Sequence, residues 1–341
     1  MTKKFYEIED QEKITIFQEV SNRTGMPVFA VEKDWWVTRT LEIIFEMEVG
    51  KHLVFKGGTS LSKAWKLIER FSEDIDLAID RRFLGFEGKL SRSNRTRLRQ
   101  AAGAFTTGQF FGELQAKFKE KGFDSVELKV VNAISSDKDP RIIEVYYPNL
   151  IETPGYVQPR VQIEIGCRSL LEPNSIKEFG SLVDETFPDQ GFASPFIKIP
   201  TVHAERTFLE KLFLLHEEFN RPEEKSRVER LSRHMYDIFH LSKNETVILA
   251  LEDKELYEYI VEHRHEYSKV SGVNYNSHNP QSLNPIPPPN LLEGWEKDYS
   301  KMEQEMIYEQ KAPTFKDLID NIENVKTKLS KVSWQFTLSF E

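Results

Sequence analysis

Over the first fifty residues apolar side chains recur at helical spacing. Ile14, Phe17 and Val20, then Trp35, Trp36, Leu41, Ile44 and Phe45, mark the buried faces of amphipathic helices. The period then shortens. Leu53-Val54-Phe55 is a brief apolar run that ends at Gly57-Gly58, the pattern of a buried strand entering a turn. Leu61, Ala64, Trp65 and Ile68 restore helical spacing, with Lys63, Lys66 and Glu69 between them, which predicts a helix over 60–69. Residues 74–79 alternate strictly: Asp74 and Asp76 share one strand face, and Ile75, Leu77 and Ile79 share the other. Alternation returns over 125–133, 142–147 and 160–165, and 103–122 reads as a helix. From Val202 onward helices dominate, broken by an irregular Asn-, Ser- and Pro-rich stretch at 274–289 and closing on a helix over 314–328. The chain is therefore expected to be α/β (α+β), with a mixed sheet flanked by helices. Residues 1–200 would form a core with N-terminal helices and 201–341 a mainly helical domain, joined near 195–200. No internal repeat is present.

The candidate chemistry sits where the period changes. Glycine at 57 and 58 lets the backbone adopt positive φ and approach a ligand closely. Thr59 or Ser60 can cap the helix that follows, whose first N–H groups suit an anion. One helix later, Asp74 and Asp76 point the same way and repel each other. A divalent cation offsets that repulsion, and Mg²⁺ accepts carboxylate and phosphate oxygens together. Asp-x-Asp alone would more often be a solvated strand face. With Lys56-Gly57-Gly58-Thr59-Ser60 just upstream, a site for a nucleoside triphosphate with Mg²⁺ or Mn²⁺ is the better reading.

Composition narrows the class. The 341 residues are 39% hydrophobic and 30% charged, enough for one large or two moderate cores. No apolar run reaches membrane-spanning length, the N-terminus lacks a signal-peptide pattern, and the single cysteine, Cys167, cannot form an internal disulfide. These features together point to the cytoplasm and away from a membrane. Cys167 ends an apolar strand and reads as an inert buried thiol. The net charge of −9 argues against a protein that coats nucleic acid. Yet Arg81, Arg82, Lys89, Arg92, Arg95, Arg97 and Arg99 follow the Asp-x-Asp strand with Glu87 as the one acid among them. Such a run is either a solvated face or a path for RNA phosphates.

Gly-Gly-Thr/Ser, a helix, then Asp-x-Asp on a strand resembles the signature of nucleotidyltransferases related to DNA polymerase β. The fuller strings Phe55-Lys56-Gly57-Gly58-Thr59-Ser60-Leu61 and Arg70-Phe71-Ser72-Glu73-Asp74-Ile75-Asp76-Leu77 resemble the AbiEii/AbiGii toxin family of abortive-infection and type IV toxin–antitoxin systems. Val31-Glu32-Lys33-Asp34-Trp35-Trp36-Val37-Thr38 is similar to that family's N-terminal helix motif. Glu210-Lys211-Leu212 and Arg233-His234-Met235-Tyr236-Asp237-Ile238 are similar to its downstream motifs, and 298–302 and 313–318 to its C-terminal helices. The resemblance covers most of the chain, loosely over 81–159.

The resemblance implies a polymerase β-like core and transfer of a nucleoside monophosphate from an NTP to an acceptor hydroxyl; it suggests the 3′ end of tRNA as acceptor and leaves a protein or small-molecule acceptor open. Blocked translation would be the outcome, within toxin–antitoxin or phage-defence systems, and a cognate antitoxin the partner. Asp74 and Asp76 would hold the metal. A two-metal transfer needs a third carboxylate on a neighbouring strand, and Glu164, set between Ile163 and Ile165, is the candidate, with Arg160 and Gln162 on its face. Lys56, Gly57, Gly58, Thr59 and Ser60 would cradle the triphosphate. The family carries over a functional Lys211, touching the triphosphate or base, and a cleft-facing Asp237. Helical periodicity leaves Lys211 beside an apolar stripe and Asp237 opposite one; alone it does not decide between a polar face in water and one turned to the cleft. Lys33 and Asp34 face the site or form a local ion pair. Two other classes stay open: a nucleotide-binding protein with another phosphoryl transfer or a sensing role, and a metal-dependent nuclease, which would have no triphosphate to cradle.

Overall fold

The computed structural model describes residues 3–72, 74–136, 138–153, 158–168 and 173–341. Glu73 of the strings above lies outside the described residues. The chain gathers into two compact units, Met1–Lys66 with Phe71–Val202, and Leu67–Arg70 with His203–Glu341.

The first unit is built on strands β1 (Leu53–Lys56), β2 (Asp74–Ile79), β3 (Glu127–Val130), β4 (Arg141–Tyr146), β5 (Arg160–Gly166), β6 (Asn174–Phe179) and β7 (Ile197–Val202). They form a seven-stranded mixed sheet in the order β3-β4-β5-β2-β1-β7-β6. β2 runs antiparallel to β1 and parallel to β5; β7 joins β1 in parallel and β6 antiparallel. Around the sheet lie α1 (Asp10–Thr24), α2 (Val28–Glu46), α3 (Gly57–Lys63), α4 (Arg92–Phe105), α5 (Phe111–Glu120) and α6 (Leu182–Thr186). The alternation seen in sequence becomes one dry face. Phe55, Ile75, Leu77, Ile143, Val145, Ile163 and Ile165 are all buried. Truncating one of these to alanine would cost about 2–5 kcal/mol.

Helix α2 contacts β2 and β5 as well as α1, α5 and α6, so it is covered nearly all round. Its tryptophans anchor an aromatic cluster: Trp35 and Trp36 meet edge to face, and Trp36 stacks on Tyr147 at 5.2 Å. Helix α4 continues into α5 through a π-helical stretch, Thr106–Phe110.

The second unit is helical: α7 (Ala204–Phe219), α8 (Ser232–Leu241), α9 (Thr246–Glu252), α10 (Lys254–Tyr267), α11 (Leu292–Met306) and α12 (Phe315–Leu329). Phe208, Leu212, Phe213 and Leu215 of α7 are fully buried, and α8 packs on α7, α11 and α12. Thr314 and Asp317 form a capping box that starts α12.

Two local readings need correction. The helix expected over 60–69 is Gly57–Lys63; Lys66 takes a left-handed φ of 53° and turns the chain away before Ile68. The stretch 195–200, read as a join, contributes most of β7, where Pro200 pairs with Ile176 of β6. Strand β6 carried no clear alternating signal; it is an edge strand with one face in water, and Ile176 on that face is 64% exposed. Among the described residues no helix is long and apolar enough to cross a membrane.

Candidate functional site

Gly57 is the pivot. Its φ is +80°, and a Cβ added there would lie 2.0 Å from Asp76 Oδ2 and 2.7 Å from its Cγ. A side chain is therefore excluded twice, by backbone conformation and by the carboxylate packed against the turn. Lys56 is the N-cap of α3 and gives no side-chain capping bond. Thr59 and Ser60 do not cap the helix either. Both are buried, Thr59 Oγ1 donates to the carbonyl of Asp74, and Ser60 Oγ donates to the carbonyl of Gly57 at 2.9 Å. Their hydroxyls brace the turn and tie it to β2.

The sheet register aligns the carboxylates. Lys56 pairs with Asp76 and Asp76 with Glu164, so the three form one row across β1, β2 and β5. Asp74 pairs with Gln162 in the next row of the same face. Gln162 Nε2 donates to Glu164 Oε1 at 2.8 Å, which fixes that carboxylate. Asp74, Asp76 and Glu164 are half-buried, while the residues between them are fully buried. This donor set is all oxygen and suits a hard divalent cation. Among the described residues no three such groups are drawn together tightly enough to hold a metal by themselves.

Three consecutive charged residues of α2 brace these elements from below. Glu32 accepts the N–H groups of Leu150 and Ile151 at 2.9 and 3.0 Å. Lys33 donates to the carbonyl of Gln158, at the entry to β5, at 2.9 Å. Asp34 binds Lys63 at the end of α3 and accepts from Leu182 N at 2.7 Å. All three are buried. Burial pushes the Glu32 carboxyl up to about 7 against the two N–H donors, and raises Asp34 despite Lys63. Lys33 and Asp34 thus hold the strand of Glu164 and the helix of the glycine turn.

In the second unit Asp237 is fully buried. Arg70 grips it through Nε at 2.6 Å and Nη2 at 2.8 Å, and Lys211 Nζ lies 2.8 Å from Oδ2. Asp237 and Lys211 therefore lie in a buried charge cluster and not on a face in water. Burial alone would raise the Asp237 carboxyl, but the charges and hydrogen bonds of Arg70 and Lys211 outweigh it and hold it well below the carboxylate range. Burial and the Arg70 charge lower Lys211. Burial, with Lys211 and Arg233 beside it, keeps His234 neutral. Arg70 was not singled out as a site residue. Its signals were its place at the head of the family-like string over 70–77 and an arginine set between the apolar residues Ile68 and Phe71.

The basic stretch after β2 is less open than its sequence implies. Arg81 is buried and donates to the carbonyl of Gly88, so it cannot line an acceptor path. Arg82 forks onto Asp80, and half-buried Arg95 donates to the carbonyl of Leu90. Arg92 and Arg97 are exposed, and Arg99 is half-buried. Cys167 is buried, and burial raises its thiol far above the range of a reactive thiolate.

A family model described as nucleotidyl transferase AbiEii toxin, type IV toxin–antitoxin system, matches residues 39–321. No curated protein matches the chain by sequence. Among solved structures, MenT4, a nucleotidyltransferase toxin from Mycobacterium tuberculosis H37Rv, is 16% identical with a TM-score of 0.41, over 94% of this chain and 99% of that one. JHP933 from Helicobacter pylori is 14% identical with a TM-score of 0.40, over 88% of this chain and 94% of that one.

Proposed function

Because this chain belongs to the nucleotidyl transferase AbiEii toxin family of type IV toxin–antitoxin systems, it is a nucleotidyltransferase toxin, and we propose that it moves a nucleoside monophosphate from an NTP onto the 3′-terminal hydroxyl of tRNA. The observation that carries the reading is the row Lys56–Asp76–Glu164, with Gly57 packed against Asp76. Backbone N–H groups at Gly57 and Gly58 receive the triphosphate, and Lys56 supplies a cation at the end of the row. Asp74, Asp76 and Glu164 are the residues for Mg²⁺ or Mn²⁺, which when bound would neutralise charge on the transferring phosphate and its leaving group. Glu164, fixed by Gln162, accepts the proton of the attacking hydroxyl. Catalysis then consists of positioning and electrostatic stabilisation.

Lys211 lies in the segment that resembles the family's first downstream motif, and on that ground it is proposed to meet a phosphate of the nucleotide. Asp237 orients it and does no chemistry itself. The cytoplasm, where NTP and tRNA occur, is the proposed place of action, and a cognate antitoxin the proposed partner.

Expression of the wild-type chain and of Asp76→Ala in a host cell tests this reading. The wild type arrests growth and its tRNA carries added nucleotides; Asp76→Ala folds and does neither. A folded Asp76→Ala protein that still arrests growth would contradict it. RNA that is shortened instead of extended would point to a nuclease.

A further inference from the structure

The phosphate turn occupies one flank of the carboxylates, and the opposite flank has features of its own. β1 runs antiparallel to β2, so the turn at Gly57 emerges at the end of β2 where Asp74 lies. On the other side β5, β4 and β3 extend the sheet, and the register continues the row of Asp74 through Gln162, Glu144 and Lys129. One step of two residues further along, Arg160 pairs with Tyr146. By the period of two, Gln162, Glu144, Arg160, Tyr146 and Lys129 all lie on the face that carries Asp74, Asp76 and Glu164.

Phosphoryl transfer sets the attacking and leaving oxygens roughly in line. With pyrophosphate leaving toward Gly57 and Gly58, the acceptor hydroxyl has to arrive from the β5 flank. At about 4.8 Å between strands and about 3.3 Å per residue, the Tyr146 backbone lies ~12 Å from that of Asp74. This is a short reach for the end of a chain molecule.

The side chains there form a small ordered platform. Tyr146 OH donates to Glu144 Oε2 at 2.8 Å, and Glu144 also binds Arg160. Lys129 Nζ sits 4.6 Å from the centroid of the Tyr146 ring and 3.2 Å from Glu127. Arg160 is 28% exposed at its side chain and Lys129 52%. Each cation is matched by a carboxylate, so the platform does not attract a polyanion by charge alone. It offers instead a half-buried ring, one side of which Lys129 already covers, and a planar guanidinium for stacking, with amide and carboxylate edges for directed hydrogen bonds. That is the chemistry that holds an unstacked terminal nucleotide.

We propose that the β5–β4–β3 face, through Arg160, Tyr146 and Lys129, binds the single-stranded end of the RNA acceptor and presents its hydroxyl to Glu164. This rests on the nucleotidyl-transfer reading, and it moves the acceptor from the arginine stretch after β2 to the sheet surface.

The test is fluorescence anisotropy with the full-length protein and a short labelled single-stranded RNA, which reads the surface without requiring catalysis. Tyr146→Ala should weaken binding about tenfold, the loss expected for one stacked base. Lys129→Ala, at an exposed position where folding is not at stake, should weaken it several-fold. NTP affinity should stay unchanged in both, and the salt dependence of RNA binding should be shallow, equivalent to about one or two phosphates. Wild-type RNA affinity in both variants overturns the proposal. So does failure of the wild type to bind RNA while label from NTP appears on a protein acceptor. RNA binding that follows these variants, with no nucleotide transferred under any condition, would leave the surface standing and remove the transfer reading.

Discussion

At the scale of single residues, Gly57 bears the sharpest constraint among the described glycines. Its positive φ and the 2.0 Å approach of Asp76 Oδ2 to an added Cβ forbid any side chain. Gly57→Ala should therefore reduce nucleotide transfer by at least about a hundredfold, the scale of a displaced reacting group. Gly112, exposed in α5 with nothing within 4 Å of an added Cβ, provides the control. Gly112→Ala should leave transfer intact and add up to about 1 kcal/mol of stability. Initial rates and denaturant unfolding measure both, and equal rates for Gly57→Ala and wild type would refute the constraint. The placing of such residues was legible in sequence: local pattern puts Gly57 in the turn before α3 and Asp74 and Asp76 on one strand face, and alternation puts Glu164 on the face opposite Ile163 and Ile165. The placing of Asp237 was not, because its environment is set by Arg70, 167 residues away, and no period of its own helix reveals that. A helical stripe tells which side is apolar; it cannot tell that the other side is buried among charges.

At the scale of elements, strands with one dry face were readable. β2 and β5 were found by alternation, and their pairing then set Asp76 opposite Glu164. β7 was not, since two prolines nearby mimic a linker, and α3 proved shorter than its apolar spacing implied because Lys66 leaves the helical region. The roles of Glu32, Lys33 and Asp34 were also hidden. Each binds a different distant segment, and only the fold brings those segments to α2.

Helix α7 makes a testable link of another kind. His216 is buried; its Nδ1 accepts from Asn284 N at 2.9 Å, so Nε2 carries the proton and lies 2.8 Å from Ser277 Oγ. Burial, then the neighbouring His278, pushes His216 down to about 4. The folded state thus disfavours the proton relative to an unfolded histidine near 6.5. Stability from this group is complete above about pH 6.5 and is lost as pH falls toward 4. Glu32, raised to about 7, stabilises over the same fall in pH, so the prediction is a difference: the urea midpoint of wild type relative to His216→Asn should be constant above about pH 6.5 and decline from there toward pH 4. Glu217, held down to about 2 by Arg264 and His278 against burial, contributes a separate loss below its ordinary value of 4.5. An unchanged slope in His216→Asn would show that other groups control it.

At the scale of the whole molecule, the two compact units divide the proposed machinery. The first carries the glycine turn, the three carboxylates and the acceptor face. The second carries the Arg70–Lys211–Asp237 cluster, and only residues 71–73 separate Arg70 from Asp74 along the chain. A net charge of −9 fits an enzyme that engages the end of an RNA through a few directed contacts better than one that coats its backbone. The central claim is that Asp74, Asp76 and Glu164 serve transfer of a nucleoside monophosphate, with pyrophosphate leaving. The most direct measurement incubates the protein with tRNA, Mg²⁺ and NTP labelled at either the α- or the γ-phosphate. The account predicts that α-label moves onto RNA, that γ-label is released as pyrophosphate, and that both are lost in Asp76→Ala or with a chelator. Label from the γ-phosphate on the acceptor, or α-label transfer that survives Asp76→Ala, would contradict it.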